Sequence, residues 1–336
     1  MLRRIISVLD GTPLAETALP YAASLARVSG ATLVLVEAAL IGETLEYFDP
    51  DNTNLVLRYD PPSPGAPVDP LTAQQVASDA REYLASLARD LHGQGIMVET
   101  VVVPGEAADV VVDEAKLRHA DLIVMSTHGR SGLGRWLHGS VAEAVVAHTS
   151  VPVLLIRAGL PWRKLRSTMS GLRLLVTLDG SPAAETALPV AADLARVINA
   201  EISLVRIIPL SPESTARDSR QLDGAESGHP TDLNNSVAGR YLDAIATRLQ
   251  ADGLRVSTNV ANNLPAAGIL DVADATGADI IVMATHGRTG IGRAILGSVS
   301  LDVVRQGSRP VLLVRPSSKA TARPMAATTT PTGTAS

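Results

Sequence analysis

Residues 9–20 read LDGTPLAETALP, and residues 178–189 read LDGSPAAETALP, with ten of the 12 positions identical. A second block follows in the same order: residues 124–141 (VMSTHGRSGLGRWLHGSV) return as residues 282–299 (VMATHGRTGIGRAILGSV), identical at 12 of 18 positions. The blocks are displaced by 169 and 158 residues. Repeats of solenoids and propellers are about 20–50 residues long. The much longer period here predicts two duplicated domains.

The composition supports two folded domains and argues against nucleic-acid binding. A domain commonly takes about 150 residues, so 336 residues suffice for two, each able to bury its own core. Hydrophobic residues make up 46% and charged residues 19%, unlike the composition of a disordered chain. Aromatic residues are only 2%, and the net charge is −5. Neither stacked aromatics nor a broad basic surface is therefore available for DNA or RNA.

The chain has no cysteine, which excludes disulfides, thiolate nucleophiles and cysteine-type zinc sites. The apolar run near the N-terminus ends at Asp10, too early for a signal peptide. No stretch approaches about 18 uncharged apolar residues, so we expect no membrane span. These features predict a cytoplasmic protein with neither a membrane nor a nucleic acid as partner.

Each copy alternates Val-, Ile- and Leu-rich strand patterns with helical patterns, which predicts a parallel sheet covered by helices on both faces. In the first copy, strands are predicted at 4–9, 31–39, 96–103, 122–126 and 151–157. Helices are predicted between them at 13–28, 73–92, 106–119 and 140–148. In the second copy, the predicted strands are 172–178, 201–208, 254–261, 280–284 and 310–315. Thr12 is the expected cap of the first helix, with Pro13 at its first position.

The predicted organisation is domain 1 at residues 1–157, a linker at 158–171, domain 2 at 172–316 and a disordered tail at 317–336. Two polar segments, residues 41–70 and 210–231, each follow a second strand and are predicted to be loops.

Both repeated blocks fall where open parallel sheets bind ligands, beyond the carboxyl ends of the strands. Asp10 and Asp179 end the two first strands, and glycine-rich segments at 129–134 and 287–292 follow the fourth strands. Glycines allow close approach of backbone N–H groups to an anion, and the helix that follows directs its N-terminal donors at it. We therefore expect a phosphate at the loop and a hydrogen-bonding group at the aspartate. A nucleotide satisfies both.

The pattern is neither a P-loop, because no lysine precedes Ser140, nor the dinucleotide fingerprint after a first strand. Over nearly all of both halves the chain resembles the universal stress proteins, in tandem form. ATP-binding members of that family carry Gly, two residues, Gly, nine residues, Gly and then Ser or Thr. Six residues match the last three positions of that pattern: Gly129, Gly139, Ser140, Gly287, Gly297 and Ser298. The first glycine is replaced by two small residues, Ser126 and Ala284.

The resemblance implies ATP as the ligand, which Mg²⁺ can accompany, and a role for each matching residue. Asp10 and Asp179 would contact adenosine, while Ala38, Ile207, Met125 and Met283 would line the adenine side. Ribose and phosphates would be held by Gly129, Gly132, Gly139, Ser140, Val141, Gly287, Gly290, Gly297, Ser298 and Val299. The implied fold is two Rossmann-like domains of the adenine nucleotide alpha hydrolase type, each an α/β sandwich on a five-stranded parallel sheet ordered 3-2-1-4-5.

Simpler structural roles compete with several of these assignments. Asp10 and Asp179 can serve only to stabilise a strand-to-helix turn, and the two methionines can be core residues. His128 and His286 are better explained as loop anchors than as catalysts, because no nucleophile stands near them in the motif.

The function that we expect is nucleotide-responsive signalling or stress protection, with up to two sites per chain and without rapid turnover. One alternative is an interaction scaffold in which one or both pockets are vestigial. Another is a slow ATPase or nucleotidyl transferase, although the motifs supply no general base or carboxylate cluster beyond one aspartate per site.

The fifth strands lie within residues 151–156 and 309–314 and would be at sheet edges. The residues that follow Pro152 and Pro310 in these strands are apolar on both faces. They carry none of the charges that protect an exposed edge. We therefore predict an intramolecular pseudo-dimer, fifth strand near fifth strand, with a homodimer as an optional further step.

Overall fold

The structure is a computed structural model that describes residues 2–39, 43–48, 55–60, 70–127, 141–157, 171–209, 230–285 and 296–316. Domain 1 contains the strands β1 (Arg4–Leu9), β2 (Thr32–Ala39), β3 (Glu43–Phe48), β4 (Leu55–Asp60), β5 (Val98–Pro104), β6 (Leu122–Ser126) and β7 (Val153–Ile156). Its helices are α1 (Pro13–Glu16), α2 (Leu19–Ser29), α3 (Pro70–Gly93), α4 (Ala107–Leu117) and α5 (Val141–His148).

Apart from β3 and β4, the described part of domain 2 repeats this order of elements. Its strands are β8 (Arg173–Thr177), β9 (Glu201–Ile208), β10 (Val256–Asn262), β11 (Ile280–Ala284) and β12 (Val311–Val314). Its helices are α6 (Pro182–Glu185), α7 (Ala187–Ile198), α8 (Pro230–Ala251), α9 (Pro265–Thr276) and α10 (Ser298–Gln306).

Ten of the described strands form one continuous sheet, in the order β10-β9-β8-β11-β12-β7-β6-β1-β2-β5. Within the part of this sheet that each domain contributes, every neighbouring pair is parallel. When only the five strands that each domain contributes to this sheet are counted, the order is third, second, first, fourth and fifth strand. The predicted α/β fold class and its strand order are confirmed.

The two domains meet at the last strand of each, β7 and β12, as the apolar edges predict. β7 and β12 pair antiparallel, with Leu154 opposite Leu312. Each domain also reaches across the junction: Arg157 donates to the carbonyl of Gly307 (3.2 Å), and Arg315 donates to the carbonyl of Ala147. Because this pairing is antiparallel, the strands of the two domains run in opposite directions. The carboxyl ends of one domain's strands therefore lie beside the amino ends of the other domain's strands.

Helices cover both faces of the sheet, and equivalent helices cover the same face in both domains. On one face, α2, α3, α7 and α8 pack over a single apolar cluster, and α2 contacts α7 across the junction. On the other face, the helices α4, α5, α9 and α10 do the same. None of the described helices combines the length and the apolar character that a bilayer crossing requires.

The helix predicted at 13–28 is wrong in one respect, since the structure divides it into α1 and α2. Thr12 caps α1 as expected, its hydroxyl accepting from the N–H of Ala15 at 3.2 Å. The division follows from Pro20, which has no N–H to donate to the carbonyl of Glu16. Pro189 stands in the same place at the start of α7 in domain 2.

The prediction of a loop at 41–70 is also wrong, because this segment contains the antiparallel pair β3 and β4, with Phe48 opposite Leu55. The two runs are rich in apolar, aromatic and β-branched residues and flank an Asp- and Asn-rich stretch, which favours a hairpin. Residues 158–170, 210–229 and 317–336, which contain most of the predicted linker, the second loop and the tail, lie outside the described residues.

Candidate functional site

A cavity of about 600 Å³ lies in domain 2 beyond the carboxyl ends of β8, β9 and β11. Helices α8 and α9 and the first turn of α10 complete its walls. Its volume is within the usual range of small-molecule sites, about 300–1,000 Å³. The position is the one expected for ligand binding by an open parallel sheet.

Six of the residues singled out from the sequence of domain 2 line this cavity: Asp179, Ile207, Met283, Gly297, Ser298 and Val299. They come from three segments of the chain that are far apart in sequence. Gly287 and Gly290 lie outside the described residues. The structure thus brings the six residues together, and their role in nucleotide binding stays a prediction.

Asp179 forms the strand-to-helix turn after β8, because its Oδ1 accepts the backbone N–H of Ser181 at 2.8 Å. Asp10 does the same in domain 1, where its Oδ1 accepts the N–H and the hydroxyl of Thr12 at 3.0 and 2.6 Å. The simpler structural role is therefore present in both domains. It also holds each carboxylate in place beside the carboxyl end of the first strand.

The start of α10 offers backbone donors to the cavity. Gly297 is extended, and its N–H donates to the carbonyl of Thr285 at 2.8 Å, which ties the start of the helix to the end of β11. No side chain among the described residues caps this helix. The first N–H groups of a helix have no partner within it, and together with the helix dipole they favour an anion.

Several apolar side chains also line the cavity. Ile207 projects from β9, Met283 is buried at the end of β11, and Val237, Pro265 and Ile269 come from α8 and α9. The three helical residues were missed in the sequence, because each lies in an ordinary amphipathic helix pattern that carries no signal for a ligand. The cavity thus combines apolar side chains with backbone donors and a carboxylate.

Arg206 on β9 also lines the cavity and was missed. Its guanidinium carbon lies 5.3 Å from the centroid of the Tyr241 ring, a cation–π contact. It also covers Gly180, which has φ +85°, and a Cβ at that position would lie 3.1–3.3 Å from guanidinium atoms. The charge is thus held in a defined place at the cavity wall.

Tyr241 links α8 to α6, because its hydroxyl donates a hydrogen bond to Oε1 of Glu185, the last residue of α6, at 2.9 Å. Burial raises the pKa of Tyr241 well above its usual value, and the hydrogen bond to Glu185 adds to this, while the nearby Arg206 lowers it. The phenol is therefore a protonated donor at neutral pH.

Domain 1 repeats this link with Tyr83, whose hydroxyl donates to Glu16 Oε1 at 3.0 Å. Burial and then the bond to Glu16 raise the pKa of Tyr83, and the negative charges of Glu37 and Asp10 raise it further. Glu37 is the residue of domain 1 that corresponds to Arg206. Glu37 lies opposite Leu9 of β1, and the register of β8 and β9 puts Arg206 opposite Leu178, the equivalent of Leu9 in domain 2.

The other residues predicted in domain 1 are only partly within the described chain. Ala38 lies near the end of β2, Met125 is buried on β6, and Val141 begins α5. Gly129, Gly132, Gly139 and Ser140 lie outside the described residues. Within the described parts of both domains, no group of three or more His, Cys, Asp or Glu residues is placed to hold a metal ion.

Comparison with known proteins gives a consistent family. The model of the universal stress protein family matches residues 1–157 and 172–315. A universal stress protein of Mycolicibacterium smegmatis is 28% identical over 254 residues, which cover 73% of this chain and 77% of the relative. The universal stress protein E homolog of Haemophilus influenzae is 26% identical over 231 residues, 65% of this chain and 70% of the relative.

Solved structures show the same fold. A universal stress protein from Archaeoglobus fulgidus superposes with a TM-score of 0.64 at 18% identity, over 94% of this chain and 97% of that chain. One from Pseudomonas aeruginosa gives 0.59 at 18% identity, over 96% and 95%. At these identities the likeness concerns the fold alone.

Proposed function

The chain belongs to the universal stress protein family, with two copies of the family domain in one polypeptide, and from this premise we propose that it binds adenine nucleotides. The proposed sites are the carboxyl-end crevices of the two domains, with ATP as the ligand and Mg²⁺ as its companion in solution. The proposed role is nucleotide-responsive signalling or stress protection in the cytoplasm.

The observation that carries the proposal is the convergence of six sequence-predicted residues on the domain 2 cavity. The apolar side chains of Ile207 and Met283 suit a purine base, and the Asp179 carboxylate can accept hydrogen bonds from ribose hydroxyls. The backbone donors at Ser298 and Val299 suit phosphate oxygens. Few small molecules other than nucleotides combine an apolar ring, hydroxyl groups and an anionic end.

The proposal is of a binding protein and not of an enzyme. Release of inorganic phosphate during prolonged incubation with ATP and Mg²⁺ would instead favour the slow ATPase. The scaffold alternative, in which one or both pockets are vestigial, predicts fewer than two bound nucleotides per chain.

Calorimetric titration of the full chain with ATP tests the proposal. We expect up to two sites per chain, and mass spectrometry of the heat-released ligand should detect an adenine nucleotide. No binding at millimolar ATP would reject nucleotide binding and leave the scaffold.

A substitution at the start of α10 assigns binding to the domain 2 cavity. Ser298→Glu places a carboxylate on an exposed residue where a helix N-terminus accepts it without loss of stability. That carboxylate would compete with phosphate, so we expect ATP affinity at this site to fall by at least about tenfold. The matched control Gln306→Glu adds the same charge at the other end of α10 and should leave affinity within about twofold. Equal effects of both variants would place the ligand elsewhere.

A further inference from the structure

The two domains carry residues of opposite charge type at one equivalent position of the sheet. Glu37 on β2 and Arg206 on β9 occupy the same register position next to the first strand of their domains. Their side chains lie on the face of the sheet that packs against α3 in domain 1 and α8 in domain 2. An acidic residue in domain 1 therefore corresponds to a basic residue in domain 2 at this position.

Glu37 and Arg206 act in opposite directions on the tyrosine beside them. In domain 1, Glu37 is only 4% exposed, and its charge acts on Tyr83 together with those of Glu16 and Asp10, so the pKa of Tyr83 is raised by three carboxylates. The equivalent carboxylates of domain 2 are Glu185 and Asp179. There the third member is a cation, which lowers the pKa of Tyr241 where Glu37 raises that of Tyr83.

Arg206 also lies where a ligand in the domain 2 cavity would contact it. Arg206 lines the cavity together with Asp179 and Ser298, and the Tyr241 ring and Gly180 hold its guanidinium. In a partly enclosed site a fixed charge acts on a ligand more strongly than it does in bulk water. The Arg206 charge attracts a polyanion, and a carboxylate at the same position repels it.

We infer that the two crevices differ in their preference for anions, that domain 2 holds the tighter nucleotide site, and that Arg206 is the residue that determines this difference. The inference rests on the proposed nucleotide binding and makes the two sites inequivalent. A neutral nucleoside lacks the phosphates on which the charges act, so the preference should apply to ATP and not to adenosine.

The test is a titration of the full chain with ATP and, separately, with adenosine at low salt. We expect one tight class of ATP sites that Ser298→Glu removes. Arg206→Gln should weaken ATP binding at this site by about tenfold and adenosine binding by less than about threefold. Arg206→Lys keeps the charge and should retain ATP affinity within about threefold. Higher salt should reduce the difference between Arg206→Gln and the wild type.

The matched control is Arg196→Gln, which removes the same charge from domain 2. Arg196 is near the end of α7, where it pairs with Asp193 and Asp252. This end of α7 lies next to the amino end of β9, whereas the cavity lies beyond the carboxyl ends of the strands. Arg196→Gln should leave ATP affinity within about twofold. In domain 1, Glu37→Gln changes the charge with little change in volume and should strengthen ATP binding that remains when Ser298→Glu is present.

Two equal ATP sites, or equal losses of ATP and adenosine affinity in Arg206→Gln, would overturn this inference while nucleotide binding itself stands. Absence of any binding to the wild type would instead reject the proposed function, and the inference with it.

Discussion

Domain 1 and domain 2 share a strand order, a capped first turn and a tyrosine–glutamate hydrogen bond, but they differ at the residue beside that bond. Tyr83 and Glu16 have Glu37 as their neighbour, whereas Tyr241 and Glu185 have Arg206. The repeated features hold the backbone and the helices in place. The divergent residue faces the cavity of domain 2. The two domains therefore share their backbone arrangement and this hydrogen bond but differ in the charge type of the residue beside it.

Both domains contribute one apolar strand to the junction, so a charged substitution in either strand should lower the free energy of unfolding by a large and similar amount. Leu154→Lys places a charge on a side chain that is 1% exposed and paired with Leu312. We expect the free energy of unfolding to fall by about 3–5 kcal/mol, measured by urea denaturation. Leu312→Lys should cost about the same. Leu154→Met keeps the volume and should cost less than about 1.5 kcal/mol. Loss of only the domain 1 transition in Leu154→Lys would contradict a shared core.

The tyrosine–glutamate bonds should differ in their contribution to stability. Tyr83→Phe leaves the Glu16 carboxylate near Glu37 and Asp10, so it should lower the free energy of unfolding by about 1–3 kcal/mol. Tyr241→Phe leaves Glu185 near the cation of Arg206 and should cost about 1 kcal/mol. The measurement is denaturant unfolding at pH 7. A larger loss in Tyr241→Phe would show that the neighbouring charge does not control the cost.

Alkaline pH should remove part of this contribution in both domains. The folded pKa of each tyrosine is raised above its unfolded value of about 10, so the unfolded phenol ionises first. Its stabilising effect is complete below pH 10 and declines as pH rises, by up to about 1.4 kcal/mol per unit for each tyrosine. The stability difference between the wild type and Tyr83→Phe should therefore shrink above pH 10 in unfolding experiments. A difference independent of pH up to 11 would be inconsistent with the raised pKa.

The reciprocal arginine contacts across the junction should have the smallest effect. Arg157 donates to the carbonyl of Gly307, and Arg315 donates to that of Ala147, each at the end of a helix of the other domain. Replacement by alanine should cost about 0.5–1.5 kcal/mol in either case, measured by thermal unfolding. A cost confined to one of the two variants would show that the junction is less symmetric than its backbone.

Much of the fold could be predicted because its signals are local. Alternation of apolar strands with helices predicts the parallel sheet, and the unprotected fifth strands predict the pairing of β7 with β12. The prediction was wrong where a local signal was overlooked, as for Pro20 between α1 and α2 and for the β3–β4 hairpin.

The candidate site was less accessible to sequence reasoning, and the reason is geometric. Repeated motifs mark Asp179, Met283 and Ser298, but nothing local marks Val237, Pro265 and Ile269. These residues reach the cavity only because α8 and α9 pack on opposite faces of the sheet.

The amino-acid sequence by itself determined the duplication and the α/β class, and it predicts the end of the strands at which a ligand would bind. These follow from repeat, periodicity and turn chemistry, which act over a few neighbouring residues. The tertiary structure alone decided that the strands of the two domains run in opposite directions within one sheet and that Arg206 stands over Tyr241. Those relations join residues from separate elements, and only packing brings them together.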